Sequence, residues 1–245
     1  MFKKSFERPE ILLYLFSAAV PLSFATWQAL INNFAIEQVA FSGVEIGMLQ
    51  SLREVPGFIA FGVIFLLLII REQTVAFLAL IALGIGTAIT GFLPSIMGLY
   101  FSTVLMSMGY HYAETIQQSL SLQLVSRDRL PVVMGRQIAV GSFTGLIVFG
   151  ALFGFMEVLN VGYRWVYLTG GGLTVVIASF MYLKFPHFKG EAEQHKKIIL
   201  RKRYWLYYLL TFLSGARRQI FVVFAGFLMV EKFHFSVGEM ALLFW

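Results

Sequence analysis

One hydrophilic segment, Lys184–Arg203, interrupts a chain that is otherwise almost continuously apolar. It carries seven Lys and Arg residues against two Glu residues, and apolar stretches lie directly before and after it. Loops rich in Lys and Arg beside apolar segments stay on the cytoplasmic side of a membrane. The segment therefore predicts a cytoplasmic linker that divides a membrane protein into two parts.

The composition excludes an ordinary soluble domain. Hydrophobic residues make up 58% of the 245 residues and charged residues 13%, whereas a soluble domain is about 25% charged. We predict an all-α polytopic transmembrane helix bundle, with membrane lipid and a small-molecule solute as partners. The net charge of +6 does not indicate nucleic-acid binding, because the cations lie in loops beside apolar segments. We expect no cofactor and no metal, and the absence of cysteine excludes thiolate metal sites and disulfides.

Seven apolar segments are long enough to cross a bilayer, and an eighth begins near Trp245. The predicted spans are Ile11–Phe34, Glu45–Ile70, Thr74–Phe92, Ile96–Val125, Leu130–Val158, Trp165–Tyr182 and Tyr204–Val230. The predicted domains are an N-terminal six-helix half (1–183), a basic cytoplasmic linker (184–203) and the start of a C-terminal transmembrane half (204–245). Because the eighth span has only begun at residue 245, we expect the chain to be truncated.

The charge distribution predicts the orientation. With a cytoplasmic N-terminus, thirteen of the nineteen Lys and Arg residues fall in inner segments, and only Arg164 and Lys232 fall in outer loops. Excess positive charge marks the cytoplasmic side. We therefore predict a multi-pass protein of the cytoplasmic (inner or plasma) membrane with its N-terminus in the cytoplasm.

Two pairs of short sequences show an internal repeat. The segments Glu37–Glu45 and Glu231–Glu239 both read E-x-x-x-F-S-x-x-E, at a spacing of 194 residues. Upstream, Leu22–Gln28 and Leu213–Gln219 share L-S-x-A-x-x-Q, at a spacing of 191. The seventh span therefore repeats the first, and both are predicted to run outward from the cytoplasm.

Parallel six-span repeats joined by a long cytoplasmic loop are the plan of the major facilitator superfamily, which the chain resembles over essentially its whole length. The resemblance implies a transporter that works by alternating access, with the first, fourth and seventh spans lining a central cavity. The usual signature between the second and third spans is incomplete. Gly62 matches its glycine and Arg71 one of its basic residues, but its aspartate is absent. A different gate or a divergent branch is implied.

Polar residues inside predicted spans are the candidate functional residues, because a charge at the centre of a bilayer costs about 2.5–3.5 kcal/mol and so faces a cavity or a partner. The solute-binding candidates are Thr26, Trp27 and Gln28 in the first span, and Arg217, Arg218 and Gln219 in the seventh. The two arginines predict an anionic or carboxylate-bearing solute, because guanidinium groups bind carboxylates bidentately. The alternative is a structural ion pair with Glu54 or Glu114.

The proton-coupling candidates are His111, Glu114 and Glu54. His111 and Glu114 lie three residues apart on the fourth span, so they share a helix face, and both can titrate when buried near charge. The alternative for this segment is a polar cytoplasmic extension of the helix. For Arg53 and Glu54 we favour an internal charge pair, with Pro56 bending the helix.

We predict a secondary active transporter of a small solute that works by alternating access, and proton coupling is a hypothesis that depends on Glu54, His111 and Glu114. The alternative is a truncated or transporter-derived membrane protein without transport activity. An intramembrane enzyme using His111 and Glu114 is disfavoured because no nucleophile, metal cluster or phosphate-binding loop accompanies them. In the fifth span, the glycine pairs Gly141/Gly145 and Gly150/Gly154 predict close helix packing rather than contacts with a ligand.

Overall fold

The computed structural model describes residues 7–189 and 201–244, without the side chains of residues 215–223. The helices are α1 Pro9–Val39, α2 Gly43–Phe58, α3 Val63–Leu67, α4 Glu72–Thr90, α5 Ile96–Leu124, α6 Leu130–Phe153, α7 Tyr163–Lys184, α8 Trp205–Phe233 and α9 Val237–Phe244. Short 3-10 turns occupy Ala60–Gly62 and Lys202–Tyr204, and a π turn occupies Gly154–Val158. The described ranges contain no strand, and the predicted all-α transmembrane bundle is confirmed.

Five of the described helical segments are long and apolar enough to cross a membrane. They are Pro9–Val39, Gly43–Leu67, Glu72–Thr90, Leu130–Val158 and Tyr163–Lys184. Helix α5 is also long, at 29 residues, but polar side chains in its second half lower its hydropathy. It nevertheless packs within the bundle, along α4 and against α1 and α2.

Helix α1 lies at the centre of the bundle, where it packs against α4, α5, α6 and α7. Its buried side chains include Trp27, Leu30 and Phe34. We call the end of the bundle where α1 begins and α7 finishes the linker end, and the end where α1 and α8 finish the far end. The first residues after α7 are held at the linker end by Gln73, whose Nε2 donates to Pro186 O at 2.9 Å and whose Oε1 accepts from Phe188 N at 3.1 Å.

The second span is interrupted rather than continuous as predicted. Helix α2 ends at Phe58, a 3-10 turn follows, and α3 ends at Leu67. Pro56 lies within the last turn of α2, and proline removes a helical hydrogen bond and clashes with the preceding turn. The predicted bend at Pro56 is thus a helix break in the middle of the span.

Both copies of the E-x-x-x-F-S-x-x-E repeat have the same local structure. Helix α1 is followed by Ala40 in the left-handed conformation (φ 55°), and α8 by His234 in the same conformation (φ 57°). The next residue is Phe in each copy, and its N–H bonds back into the preceding helix, as in a Schellman motif. The backbone N–H groups of Ser42 and Ser236 then donate to the glutamate three residues later, at 2.9 and 2.8 Å. The motif therefore encodes a helix end followed by a helix start.

The closest helix packing involves glycines of α4, α5 and α7, not those of α6. A Cβ on Gly84 would lie 2.7 Å from Gly171 O, and a Cβ on Gly109 would lie 2.6 Å from Ala79 O. By contrast, a Cβ on Gly145 or Gly150 would meet no atom within 4 Å in the described part of the chain. Of the four predicted packing sites, Gly141 has a neighbour, since its added Cβ would lie 3.4 Å from Ser17 O of α1, and Gly145, Gly150 and Gly154 have none among the described residues.

Replacing Gly171 by alanine should destabilise the protein. The new methyl would overlap Gly84 O and the backbone N of Ala88, so α4 and α7 would have to separate. Overpacking of this kind costs about 1–3 kcal/mol, which should lower the midpoint of thermal unfolding in detergent. Gly145→Ala is the matched control, and it should leave the midpoint unchanged or raise it, since alanine favours an exposed helix by about 0.5–1 kcal/mol. Equal midpoints for the two variants would contradict this packing.

Candidate functional site

The polar half of α5 forms one wall of a cavity of about 300 Å³ between α1, α5 and α6. The cavity is lined by Ser17, Val20, Pro21, Tyr110, Glu114, Gln117, Gln118, Ser121, Met134, Gln137, Ile138 and Gly141. Tyr110, Glu114 and Gln118 recur every four residues along α5, a spacing that places them on one face of the helix. Tyr110 OH donates to Glu114 Oε1 at 3.3 Å, and its ring stacks on Phe24 with centroids 4.1 Å apart.

A network of amide and hydroxyl groups ties the three cavity helices together. Gln117 Nε2 donates to Ser17 Oγ at 2.6 Å and to Gln137 Oε1 at 3.0 Å. Gln137 Nε2 donates to Ser121 Oγ at 2.9 Å, and Ser121 Oγ in turn donates to Gln117 O at 2.8 Å. We call Ser17, Gln117, Ser121 and Gln137 the polar clasp. It joins α1, α5 and α6 on one side of the cavity.

The predicted coupling residues come together where α5 crosses the break in the second span. The His111 ring packs against Gly57, where an added Cβ would lie 3.0 Å from both Cε1 and Nε2 of the ring. Glu54, Glu114 and Arg53 interact electrostatically with His111. The break at Pro56 therefore leaves room for a titratable side chain among three charged ones.

Arg53 and Glu54 form an ion pair, as favoured from the sequence. Arg53 Nη2 and Nε lie 2.7 and 3.1 Å from Glu54 Oε1. The Arg53 residue is 7% exposed, and its guanidinium lies 5.7 Å from the centroid of the Trp27 ring, a cation–π distance. Ser107 Oγ donates to Arg53 O. This pair joins α2 to α1 and α5 beside His111.

The predicted solute-binding residues of α1 occupy different environments. Trp27 is 0% exposed, and its indole N–H has no hydrogen-bond partner among the described residues. The Thr26 hydroxyl donates to Leu22 O at 2.7 Å and packs against Gly170 of α7, whereas Gln28 is half-buried. The side chains of Arg217, Arg218 and Gln219 lie outside the described residues. Solute binding by all six residues stays a prediction.

Sequence reasoning missed the polar clasp as a site feature. Ser17 and Gln137 lie inside long apolar helices, and a glutamine in such a helix is a signal that it has a partner. The partners of Gln137 could not be identified from the sequence, because Gln117 and Ser17 lie 20 and 120 residues away from it along the chain. In the described part of the chain, no three His, Asp or Glu side chains are grouped so that they could hold a metal ion.

No protein-family model and no curated protein matches the sequence. The fold is nevertheless similar to that of solved transporter structures. The nucleoside transporter NupG is 13% identical with a TM-score of 0.69, and the match covers 96% of this chain and 63% of that one. A bacterial homologue of the human lysosomal transporter Spinster is 15% identical in its inward-facing unoccupied and occupied structures. The TM-scores are 0.62 and 0.61, and the matches cover 99% and 96% of this chain.

The chain spans 56–63% of the length of these solved structures. At identities of 13–15% the likeness establishes the fold alone, so the predicted fold is confirmed as one that the chain shares with these transporter structures. The helices that form the cavity and the His111 cluster belong to this shared architecture.

Replacing Gln137 by leucine should destabilise the bundle, because Gln117 and Ser121 would lose a buried partner. An unsatisfied buried polar group costs about 1–3 kcal/mol, so the thermal midpoint in detergent should fall. Gln118→Leu is the control, since Gln118 lines the same cavity but is exposed, and exposed substitutions usually change stability by less than about 0.5 kcal/mol. An unchanged midpoint for Gln137→Leu would show that the clasp contributes no stability.

Proposed function

We propose that this protein is a secondary transporter that carries a small solute across the cytoplasmic membrane by alternating access, with its N-terminus in the cytoplasm. The position of Glu114 is the observation that carries the proposal. Its side chain lines the cavity between α1, α5 and α6, and it also interacts with His111, which interacts with Glu54. Proton binding and solute binding can thus affect each other, because both act on the Glu114 carboxylate.

The coupling step follows from the charges around His111. Glu114, Glu54 and Arg53 all interact electrostatically with His111, so a change in the charge of Glu114 would act on His111. Tyr110 OH donates to Glu114 beside the cavity, so a solute in the cavity can displace this hydrogen bond and act directly on the Glu114 carboxylate. We propose Glu114 as the residue whose protonation is coupled to solute binding, with half-buried His111 and Glu54 as its partners.

The proposed solute is anionic or carries a carboxylate, because Arg217 and Arg218 lie in the sequence of the seventh span. The similar structure of NupG is that of a nucleoside transporter. The amide and phenol groups of Gln117, Gln118 and Tyr110 in the cavity suit a neutral polar solute of that kind. Carboxylates and nucleosides are therefore the two solute classes to test. We propose no enzymatic reaction, since the similar structures are transporters.

The test is uptake of labelled carboxylates and nucleosides into proteoliposomes under an imposed pH gradient. Glu114→Gln should abolish pH-driven uptake and leave solute exchange intact, because the amide preserves the shape of the side chain but cannot release a proton. Glu231→Gln is the matched control, since Glu231 is exposed at the end of α8, and it should transport as the parent protein does.

Unchanged pH dependence in Glu114→Gln would refute the coupling role and leave transport itself standing. If the parent protein gave neither uptake nor exchange with either solute class, the alternative of a transporter-derived protein without transport activity would be favoured.

A further inference from the structure

We propose that Glu157 is a latch that holds the far end of the bundle closed by binding the first turn of α9. The proposal rests on the proposed function, because a closed far end is one of the two states that alternating access requires. It assigns to a single carboxylate the contact that must break when the cavity opens to the other side.

The latch joins the two repeats directly. Gly238 N donates to Glu157 Oε1 at 2.9 Å. Gly238 is the second residue of α9, where backbone N–H groups have no partner within the helix. A carboxylate there accepts a charge-assisted hydrogen bond and faces the positive end of the helix dipole. Glu157 itself is exposed, so this hydrogen bond is charge-assisted but partly screened by solvent.

The local structure around both Glu157 and Gly238 favours this contact. Glu157 lies in the π turn Gly154–Val158, and such turns change the direction of side chains at the end of a helix. On the other side, a Cβ on Gly238 would lie 2.6 Å from Glu157 Oε1 and 2.7 Å from its Cδ. A methyl group at this position would therefore push the Glu157 side chain away from Gly238 N.

A second hydrogen bond closes the same end, since Asn33 Nδ2 of α1 donates to Phe235 O at 2.8 Å. Two neighbouring carboxylates at the far end bond within their own part of the chain. Glu239 bonds the N–H of Ser236 in its own helix start, and Glu37 accepts from Tyr163 OH at 2.8 Å within the first half of the chain. Among these carboxylates, Glu157 is the one that bridges the first half and α9.

The described packing of α8 agrees with a closed far end. Gly226, Phe227 and Val230, near the far end of α8, are buried, whereas residues 204–214 at its other end are exposed. Gly226 lies against Asn32 of α1, where an added Cβ would be 3.0 Å from Asn32 Nδ2. The latch therefore acts at the end of the bundle where the two repeats already meet.

The protein has no cysteine, so a single introduced thiol reports opening without background. Ala241 lies three residues after Gly238 on α9 and is 1% exposed. With Ala241→Cys in lipid nanodiscs, we expect slow reaction with a polar maleimide. Adding Glu157→Ala should accelerate the reaction about tenfold or more, the factor expected when one charge-assisted hydrogen bond is lost. Gly238→Ala should do the same, because its methyl displaces the carboxylate.

The control is Glu37→Ala, which removes a carboxylate from the same end but breaks a bond within the first half only. It should leave the labelling rate unchanged. Unchanged labelling in both Glu157→Ala and Gly238→Ala would overturn the latch, as would an equal acceleration in Glu37→Ala. Solute uptake is measured separately, so accelerated labelling without transport would keep the latch and refute the proposed function. Transport with unaltered labelling would refute the latch alone.

Discussion

The structure depends on the rule that a polar group inside a membrane must find its partner within the protein, because lipid tails offer none. Helices satisfy the backbone, and pairs between helices satisfy the side chains. Ser23 Oγ donates to Thr174 Oγ1 at 2.8 Å, and Thr174 Oγ1 donates to Ala19 O at 3.0 Å, which fixes α7 against α1. The polar clasp fixes α5 and α6 against α1 in the same way. The walls of the cavity are thus rigid because its polar residues bond to one another.

The same rule explains why the titratable residues lie at the break in the second span. Pro56 has no N–H, so Leu52 O cannot form its usual helical bond, and Ser107 Oγ donates to the neighbouring carbonyl of Arg53. A break of this kind costs stability, and it also opens space between α2 and α5. His111 fills that space against Gly57. The helix break at Pro56 therefore provides the space for His111, and the His111 ring fills the gap that the break leaves.

The parts of this fold that could be predicted from the sequence are those encoded locally. The apolar spans and the repeated helix end and start depend on residues within a few positions of each other, as in Ser42 with Glu45. The Arg53–Glu54 pair was predictable for the same reason. Gln137 with Gln117, Gly84 with Gly171 and Glu157 with Gly238 are separated by 20, 87 and 81 residues. These pairs depend on how the helices are arranged, and a single sequence does not specify which residues meet.

The way in which α8 is held has a mechanical consequence. Its described contacts with the first half lie near the far end, whereas residues 204–214 are exposed. Some twenty residues of helix, or about 30 Å at 1.5 Å per residue, extend from the far end toward the linker end. Over that length a rotation of about 10° at the far end displaces the other end of α8 by about 5 Å. The contact between α9 and the first half includes the hydrogen bonds of Glu157 and Asn33 as well as the apolar packing of buried Val237, Met240 and Ala241. A small rotation that breaks the Glu157 contact therefore also moves the linker end of α8, which links the state of the latch to the opposite end of the bundle.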